Sequence, residues 1–560
     1  MSLAARIRVA RGLDVADLVV RNVRFLDVFT GRFLLGDVAV SGGTIVSTRT
    51  GGPKGLRTVD GTGKWLVPGF IDAHVHVESS LLSAWSFSKT VLACGTTTAI
   101  CDPHELANVQ GERGLAFFLA AAEKTGIDLR VMMSSCVPAT TMETNGGGSI
   151  EADVLARLAT HPKALGLAEL MNVPGILHGD PGMLAKLEAF TDRPKDGHAP
   201  LLRGHDLAAY ACAGITSCHE SSELDEAREK IENGIAVWIR EGSVAKDLDA
   251  LYPLLIAENV TKVGFCTDDR NPLDIAEEGH LDHLVRKAIA HGIPAPIAFR
   301  AASYGPALHY GLAGPSTRER VGAIAPGFRA DFVLLGDADT VAIEQVYRAG
   351  IPANEIAHES IAFDHGNSMK ASVPEAADLL GPSGSVHVIG VRPGRILTDR
   401  HVMAHDAPGV ARLTVVERHG HGRRPANGYV TGFGTLTGAI ASSVGHDCHN
   451  LVAVGTDVEE MRVAMRALIE VGGGFVVVKD GAVLEMLPLP LGGLMSLADP
   501  KEVETKLRAL RAASKAIGCE VPEPFLQLAF LSLPVIPSLK LTDHGLVDVD
   551  LFKIIDVRAA

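Results

Sequence analysis

The chain has 560 residues, 66 of them acidic and 52 basic, with a formal charge of -14. That length exceeds what one hydrophobic core supports, so two or three domains are expected. The acidic balance, with no Lys/Arg-rich run to track a phosphate backbone, excludes a nucleic acid polymer as partner.

The start, Met1 to Arg6, lacks the apolar core of a signal peptide, and no apolar run approaches bilayer-spanning length. A cytoplasmic protein with no membrane partner is therefore expected. The eight cysteines (94, 101, 136, 212, 218, 266, 448 and 519) form no Cys-x-x-Cys pair. That fits reduced thiols and argues against a structural zinc knuckle. Aromatics make up only 5% of the residues, which suits the aliphatic cores of layered α/β domains.

In chain order, residues 17–66 carry short apolar or alternating runs such as Asp17 to Val23 and Gly36 to Val40, punctuated by glycine turns. They read as short antiparallel strands. From about 69 to 320 brief apolar strands alternate with helical stretches, such as the one that follows Ser80 and closes at Gly95. Repeated βα units of this total length predict a (β/α)8 barrel. Gly322 to Leu335 returns to strand character, as a small β domain interrupted by a barrel would. The division is then 1–67 and 321–370 for the two parts of the small β domain, 68–320 for the barrel and 371–560 for a C-terminal α+β domain.

That last part mixes strands, Val386 to Val391 and Phe475 to Val478, with two amphipathic helices. Asp499-Pro500 opens one: an N-cap Asp, Pro at the first helical position, apolar Val503, Leu507, Leu510 and Ile517 on one face, and Gly518 at the end. The other carries Met461, Ala464, Met465 and Leu468, a stripe read as core. His446 and His449, spaced i, i+3, could face the barrel mouth, with a structural or surface role the favoured reading.

The chemistry is expected at the barrel's strand ends. His74 and His76 end an apolar strand with i, i+2 spacing, so both imidazoles share a face about 6 to 7 Å apart, within reach of one metal ion. Alone, such a pair is an ordinary buried couple. Successive strand-like runs, however, deliver Asp102, Glu169, His198, His219 and Asp268 in the same position, where barrel active sites form. Four histidines and two carboxylates suit two divalent ions. His74, His76 and Asp268 would hold one, His198 and His219 the other, and Glu169 would bridge them. Imidazole and carboxylate without thiolate suit Mn, Fe or Zn. Cys218 precedes His219 but alternation turns it to the other face.

Pro68 to Ser80 resembles the first-strand signature of the amidohydrolase superfamily. Gly95-Thr96-Thr97-Thr98 followed by Asp102-Pro103-His104-Glu105 resembles its bacterial adenine-deaminating members. So do Ser135 to Thr140, Gly197-His198-Ala199-Pro200, Arg240-Glu241-Gly242-Ser243 and Thr267-Asp268-Asp269-Arg270. In the C-terminal part, Gly432-Phe433-Gly434, Ser442 to Asp447 and Leu491 to Ser496 do the same. At Cys218 the chain departs from that pattern, which leads one to expect an acidic residue there.

The resemblance implies a metal-dependent (β/α)8 barrel, flanked by a small β-sandwich domain built from both sides of the barrel. It implies hydrolysis of adenine to hypoxanthine and ammonia, a step in purine salvage, at two ions expected to be manganese. Asp268 would be metal ligand and proton shuttle, with Glu169 beside it in the catalytic set. Asp269 is expected to hydrogen-bond the purine at N7, and Asp102 is the second candidate for protonating the ring. Because large barrels often dimerise, a homo-oligomer is expected. Three alternatives stand beside this: another aminopurine or aminopyrimidine deaminase, a cyclic amidohydrolase, and a non-catalytic assembly barrel. The cyclic enzymes often carboxylate a lysine at the fourth strand end, where this chain has Glu169. The assembly barrel predicts missing ligands.

Overall fold

A computed structural model of the chain describes residues 2–559 apart from 316, 318 and 363–367. The last five belong to the second stretch expected for the small β domain and lie outside the described residues.

Eight parallel strands form the central barrel: β1 (Phe70–Val75), β2 (Thr96–Cys101), β3 (Asp128–Ser134), β4 (Ala164–Leu170), β5 (Lys195–Gly197), β6 (Ser217–Cys218), β7 (Ala236–Arg240) and β8 (Val263–Cys266). Each pairs with its sequence neighbour. The ring closes just past β8, where the Asp268 amide donates to the His74 carbonyl at 3.0 Å and Val75 bridges Asp268 in parallel. The helix after β1, Ala84–Ala93, is capped by Ser83, whose hydroxyl accepts from the Ser86 amide, and the chain leaves it through Gly95 at φ +87°. A Cβ there would stand 2.7 Å from the Phe70 ring. Only glycine lets the helix end so close under β1.

The flanking sheet draws on both sides of the barrel. Trp65–Pro68, the strand that leads into β1, pairs antiparallel with Phe332–Leu335, the first strand after the barrel. The strands here are not all antiparallel as expected. Ala16–Asp27 runs parallel to Gly55–Asp60 with its first half and to Trp65–Leu66 with its second. A register shift between Val20 and Val23, with Asn22 at φ +55°, makes the change of partner. One bulge thus lets a single strand serve two neighbours.

In the C-terminal region eight strands between Ser385 and Pro488 form a second sheet, and three more between Leu539 and Ile555 a small one. Helix Val458–Val471 buries Met461, Ala464, Met465 and Leu468 against the large sheet, so the methionine stripe is core. Helix Pro500–Ala516 starts at Asp499, whose carboxylate accepts from the Lys501 amide at 3.1 Å, and buries Val503, Leu507 and Leu510. This region docks on the barrel mouth. The Ser496 amide donates to the Leu81 carbonyl at 2.8 Å, and Asp543 accepts from the Thr144 amide at 2.9 Å.

Candidate metal centre and active site

The six residues expected as ligands come together at the C-terminal ends of the barrel strands, and five of them are buried, with His198 partly so. His74 and His76 point their Nε2 atoms at each other across 3.1 Å. Glu169 spans the site. Its Oε1 lies 2.9 Å from His76 Nε2 and 3.5 Å from His74 Nε2, while Oε2 lies 2.6 Å from His198 Nδ1 and 3.5 Å from His219 Nε2. Asp268 Oδ1 lies 3.2 Å from His76 Nε2 and 3.6 Å from His74 Nε2. The His219 ring stacks on His74 with centroids 3.9 Å apart. His219 therefore groups with His74 and Asp268 as well as with His198 and Glu169, so the two expected ligand sets overlap more than the spacing implied.

These donors fit a cation. His76 Nδ1 donates to the Asp102 carbonyl at 2.9 Å, which leaves the Nε2 lone pair facing His74 Nε2, Glu169 and Asp268. Lone pairs that converge this closely repel unless a proton or a metal ion lies between them. Glu169 Oε1 is also buried without a hydrogen-bond partner. Such an atom in a native interior calls for an unseen partner.

Electrostatics agree. Burial opposes ionisation of Asp268, but the contact with His76, with a proton or cation between them, and the positive charge of Arg240 outweigh it and hold the carboxyl well below its usual range. Arg240 Nη1 stands 3.2 Å from Asp268 Oδ2 and also pairs with Glu220. His219 is held well below its ordinary value by burial and by its neighbour His74, whereas Glu169 raises His74, His76 and His198 against their burial, so this cage of like donors draws in a positive charge. Asp268 itself sits at φ +55°, a left-handed conformation uncommon outside glycine. The backbone turns there as it closes the barrel, directly at the site.

A cavity opens above this floor. Asp269 lines it beside Asp268, with its Oδ1 accepting from the Ser79 hydroxyl at 2.5 Å. Burial, then the charge of Asp268, pushes its pKa up. Asp102 does not line the cavity. Its oxygens are taken by the Ser134 hydroxyl, the Glu169 amide at 3.3 Å and His104 Nδ1 at 3.3 Å. Direct protonation of a bound ring, expected of it from its strand-end position, does not fit this placement. His104 stands between Asp102 and the cavity instead.

Several cavity residues carried no role in the sequence reading: His104, Glu105, Glu220, Arg240, Asp447 and Phe530. His104, Glu105 and Glu220 sit one to three positions beyond recognised residues, and that proximity was the available signal. His446 and His449 are the clearest correction. Both face the barrel mouth: His446 Nδ1 lies 2.5 Å from Glu105 Oε1, and His449 Nε2 pairs with Glu105 Oε2. They lie more than 340 positions from Glu105, and no local pattern announces a pairing across two domains. At the strand-four position of cyclic amidohydrolases stands Glu169. Lys163 lies at the other end of that strand, tied to Asp128 at 2.8 Å.

An imidazole–carboxylate cage at the mouth of a (β/α)8 barrel defines the class, a metal-dependent hydrolase. Residues 65–352 match the amidohydrolase family, and residues 395–553 match the adenine deaminase C-terminal domain. The chain is 50% identical to an adenine deaminase of Methylobacterium sp. (strain 4-46), with 99% of each chain covered. It is 48% identical to an adenine deaminase of Gluconobacter oxydans (strain 621H), with 98% of each covered. The chain belongs to the amidohydrolase family and, within it, to the adenine deaminases.

Proposed function

We propose that this chain deaminates adenine by hydrolysis, giving hypoxanthine and ammonia, at a pair of divalent ions. The observation that carries the reading is the convergence of His74, His76 and His219 on Glu169 and Asp268, in a chain whose full-length relatives are adenine deaminases. His74, His76, Glu169, His198, His219 and Asp268 would hold the ions. When bound, such ions supply hydroxide at neutral pH by lowering the pKa of water from about 15.7 to about 7. Manganese is our choice, and the same donors accept iron or zinc. All eight cysteines are free, in keeping with a reducing cytoplasm.

The chain's own groups handle the protons. Asp268 Oδ1 takes a proton from the attacking water and returns it to the departing amine, while Arg240 keeps the carboxylate ionised. Attack at C6 drives charge onto the ring nitrogens, so a cavity-facing acid must protonate one, and it recovers a proton from the C6 hydroxyl as ammonia departs. We assign that to His104 Nε2, which lies 3.4 Å from Glu105 Oε1, with Asp102 as its positioning residue behind Nδ1. Asp269, anchored by Ser79, is assigned to N7, where an acceptor nitrogen requires the protonated carboxyl.

Manganese-loaded protein should release ammonia and consume adenine absorbance, with guanine and dihydroorotate inert. Activity on another ring with adenine untouched would keep the site and discard the substrate.

A further inference from the structure

This inference rests on the deaminase reading and concerns the purine's far edge. With C6 over the floor of His76, Glu169 and Asp268, the five-membered ring of adenine points away from the barrel. What it meets there comes from the C-terminal domain.

Two features stand on that side. Asp447 lines the cavity at 3% exposure, and its Oδ2 is buried without a hydrogen-bond partner. The nearest basic atoms to its Oδ1, His446 Nδ1 and His104 Nε2, are 3.8 and 4.0 Å away, outside hydrogen-bond range. Burial raises Asp447 to about 6, so it is mostly ionised at pH 7 and offers only acceptors. The second feature is an apolar wall of Ile396, Phe530, Leu533, Val535 and Ile536. That wall is held in place. Buried Lys540 donates to the Ile396 and Phe530 carbonyls at 2.8 and 2.9 Å, and the Phe530 ring stacks on His446 at 4.7 Å.

We propose that the C-terminal domain makes the site selective for a free base: Asp447 accepts the imidazole-ring N–H of adenine, and the Ile396–Phe530–Leu533–Ile536 wall stands where a sugar on N9 would sit. Free adenine carries that proton and an N9-substituted purine does not. A nucleoside would leave Asp447 without a donor and press its hydroxyls against aliphatic carbon, two penalties that a small base escapes. Asp447 and the wall are thus specificity-determining residues, and the domain added to the barrel completes the substrate pocket.

The test compares adenine, 9-methyladenine and adenosine as substrates of the manganese-loaded full chain, by ammonia release. Wild type should favour adenine over 9-methyladenine by about 10⁴-fold in kcat/KM, the scale on which a site built for an N–H rejects an analogue lacking it. Asp447→Ala should lose adenine efficiency mainly through KM, change little on 9-methyladenine, and so collapse the ratio. The Leu533→Ala/Ile536→Ala double variant should gain adenosine turnover relative to adenine by about 10-fold or more, the worth of a few methylenes of space. Equal use of adenine and 9-methyladenine by wild type overturns the inference without any variant. So does an Asp447→Ala enzyme that loses both substrates equally. A wild type inert on adenine overturns the deaminase reading, and this inference with it.

Discussion

Two clusters of buried charge sit at opposite ends of the same barrel strands. At the N-terminal end Asp128 takes Lys163 on Oδ1 at 2.8 Å, and Arg130 and Arg329 on Oδ2 at 3.0 and 2.9 Å, while Arg329 also grips Asp331 at 2.6 Å. Burial opposes the Asp128 charge, yet Arg329, Lys163 and Arg130 hold it well below the usual carboxylate range. At the mouth, Glu169 Oε1 and Asp447 Oδ2 are equally buried and have no hydrogen-bond partner. In the first cluster both Asp128 oxygens are paired within the chain, with only Arg130 Nε left without a partner, and the cluster ties the flanking sheet to the barrel. The second is complete only with something bound, and that is the physical mark of a working site.

The sharpest way to break this contrast is at Asp268. Asp268→Asn should lower kcat by about 10⁴-fold, the upper range for a lost general acid–base group, while metal per chain measured by plasma mass spectrometry stays near wild type. Near-normal turnover would remove the shuttle. Stripping the ions tests the open cluster as a whole. Ligand that saturates the folded state at 1,000 times its Kd contributes about 4 kcal/mol, so chelation should lower Tm in a calorimeter and manganese should restore it. An unchanged Tm would mean the mouth holds no ion that matters to folding.

The closed cluster should respond in the opposite way. Asp128→Asn leaves buried cations short of a partner and should cost roughly 3–5 kcal/mol in urea unfolding, with adenine KM and metal content unchanged. Because the folded-state pKa of Asp128 lies below its ordinary 3.8, its contribution is present above pH 3.8 and fades as acid carries the pH through the lower value. A loss of activity without loss of stability would reverse the roles assigned to the two ends.

Local pattern made much of this legible. The Asp499-Pro500 helix, the Met461 and Met465 stripe and the strand ending at Asp102 depend on periodicity and capping over a few residues. His198 was readable as a strand end only weakly, since β5 is three residues long and mostly polar, Lys195–Gly197. What could not be read was set by distance along the chain. The paired use of one strand by two parallel neighbours depends on a single bulge near Asn22. The pairing of Glu105 with His446 and His449 depends on one domain docking on another. Asp102 shows the limit of strand-end logic: it occupies the expected position, but three neighbours consume its oxygens before a substrate can reach them.

Glu105 offers the finest comparison, because its partners are histidines where those of Asp128 are Arg and Lys. Burial disfavours charge on His446, but Glu105 reverses this and lifts it from 6.5 to about 9. At about 1.4 kcal/mol per unit, the pair is worth up to about 3 kcal/mol. A raised histidine stabilises fully below its unfolded value and loses that contribution as pH climbs through the folded one, while the lowered Glu105 contributes only above its ordinary 4.5. The stability gap between wild type and Glu105→Gln should therefore be widest between pH 4.5 and 6.5 and close towards pH 9, measured by urea unfolding with manganese present. The Asp128→Asn gap should stay open across that same range, since Asp331 and Asp128 raise Arg329 against its burial and keep it charged. A Glu105→Gln gap that also ignores pH would mean His446 is held neutral, and the mouth would then be joined to the C-terminal domain by packing rather than by charge.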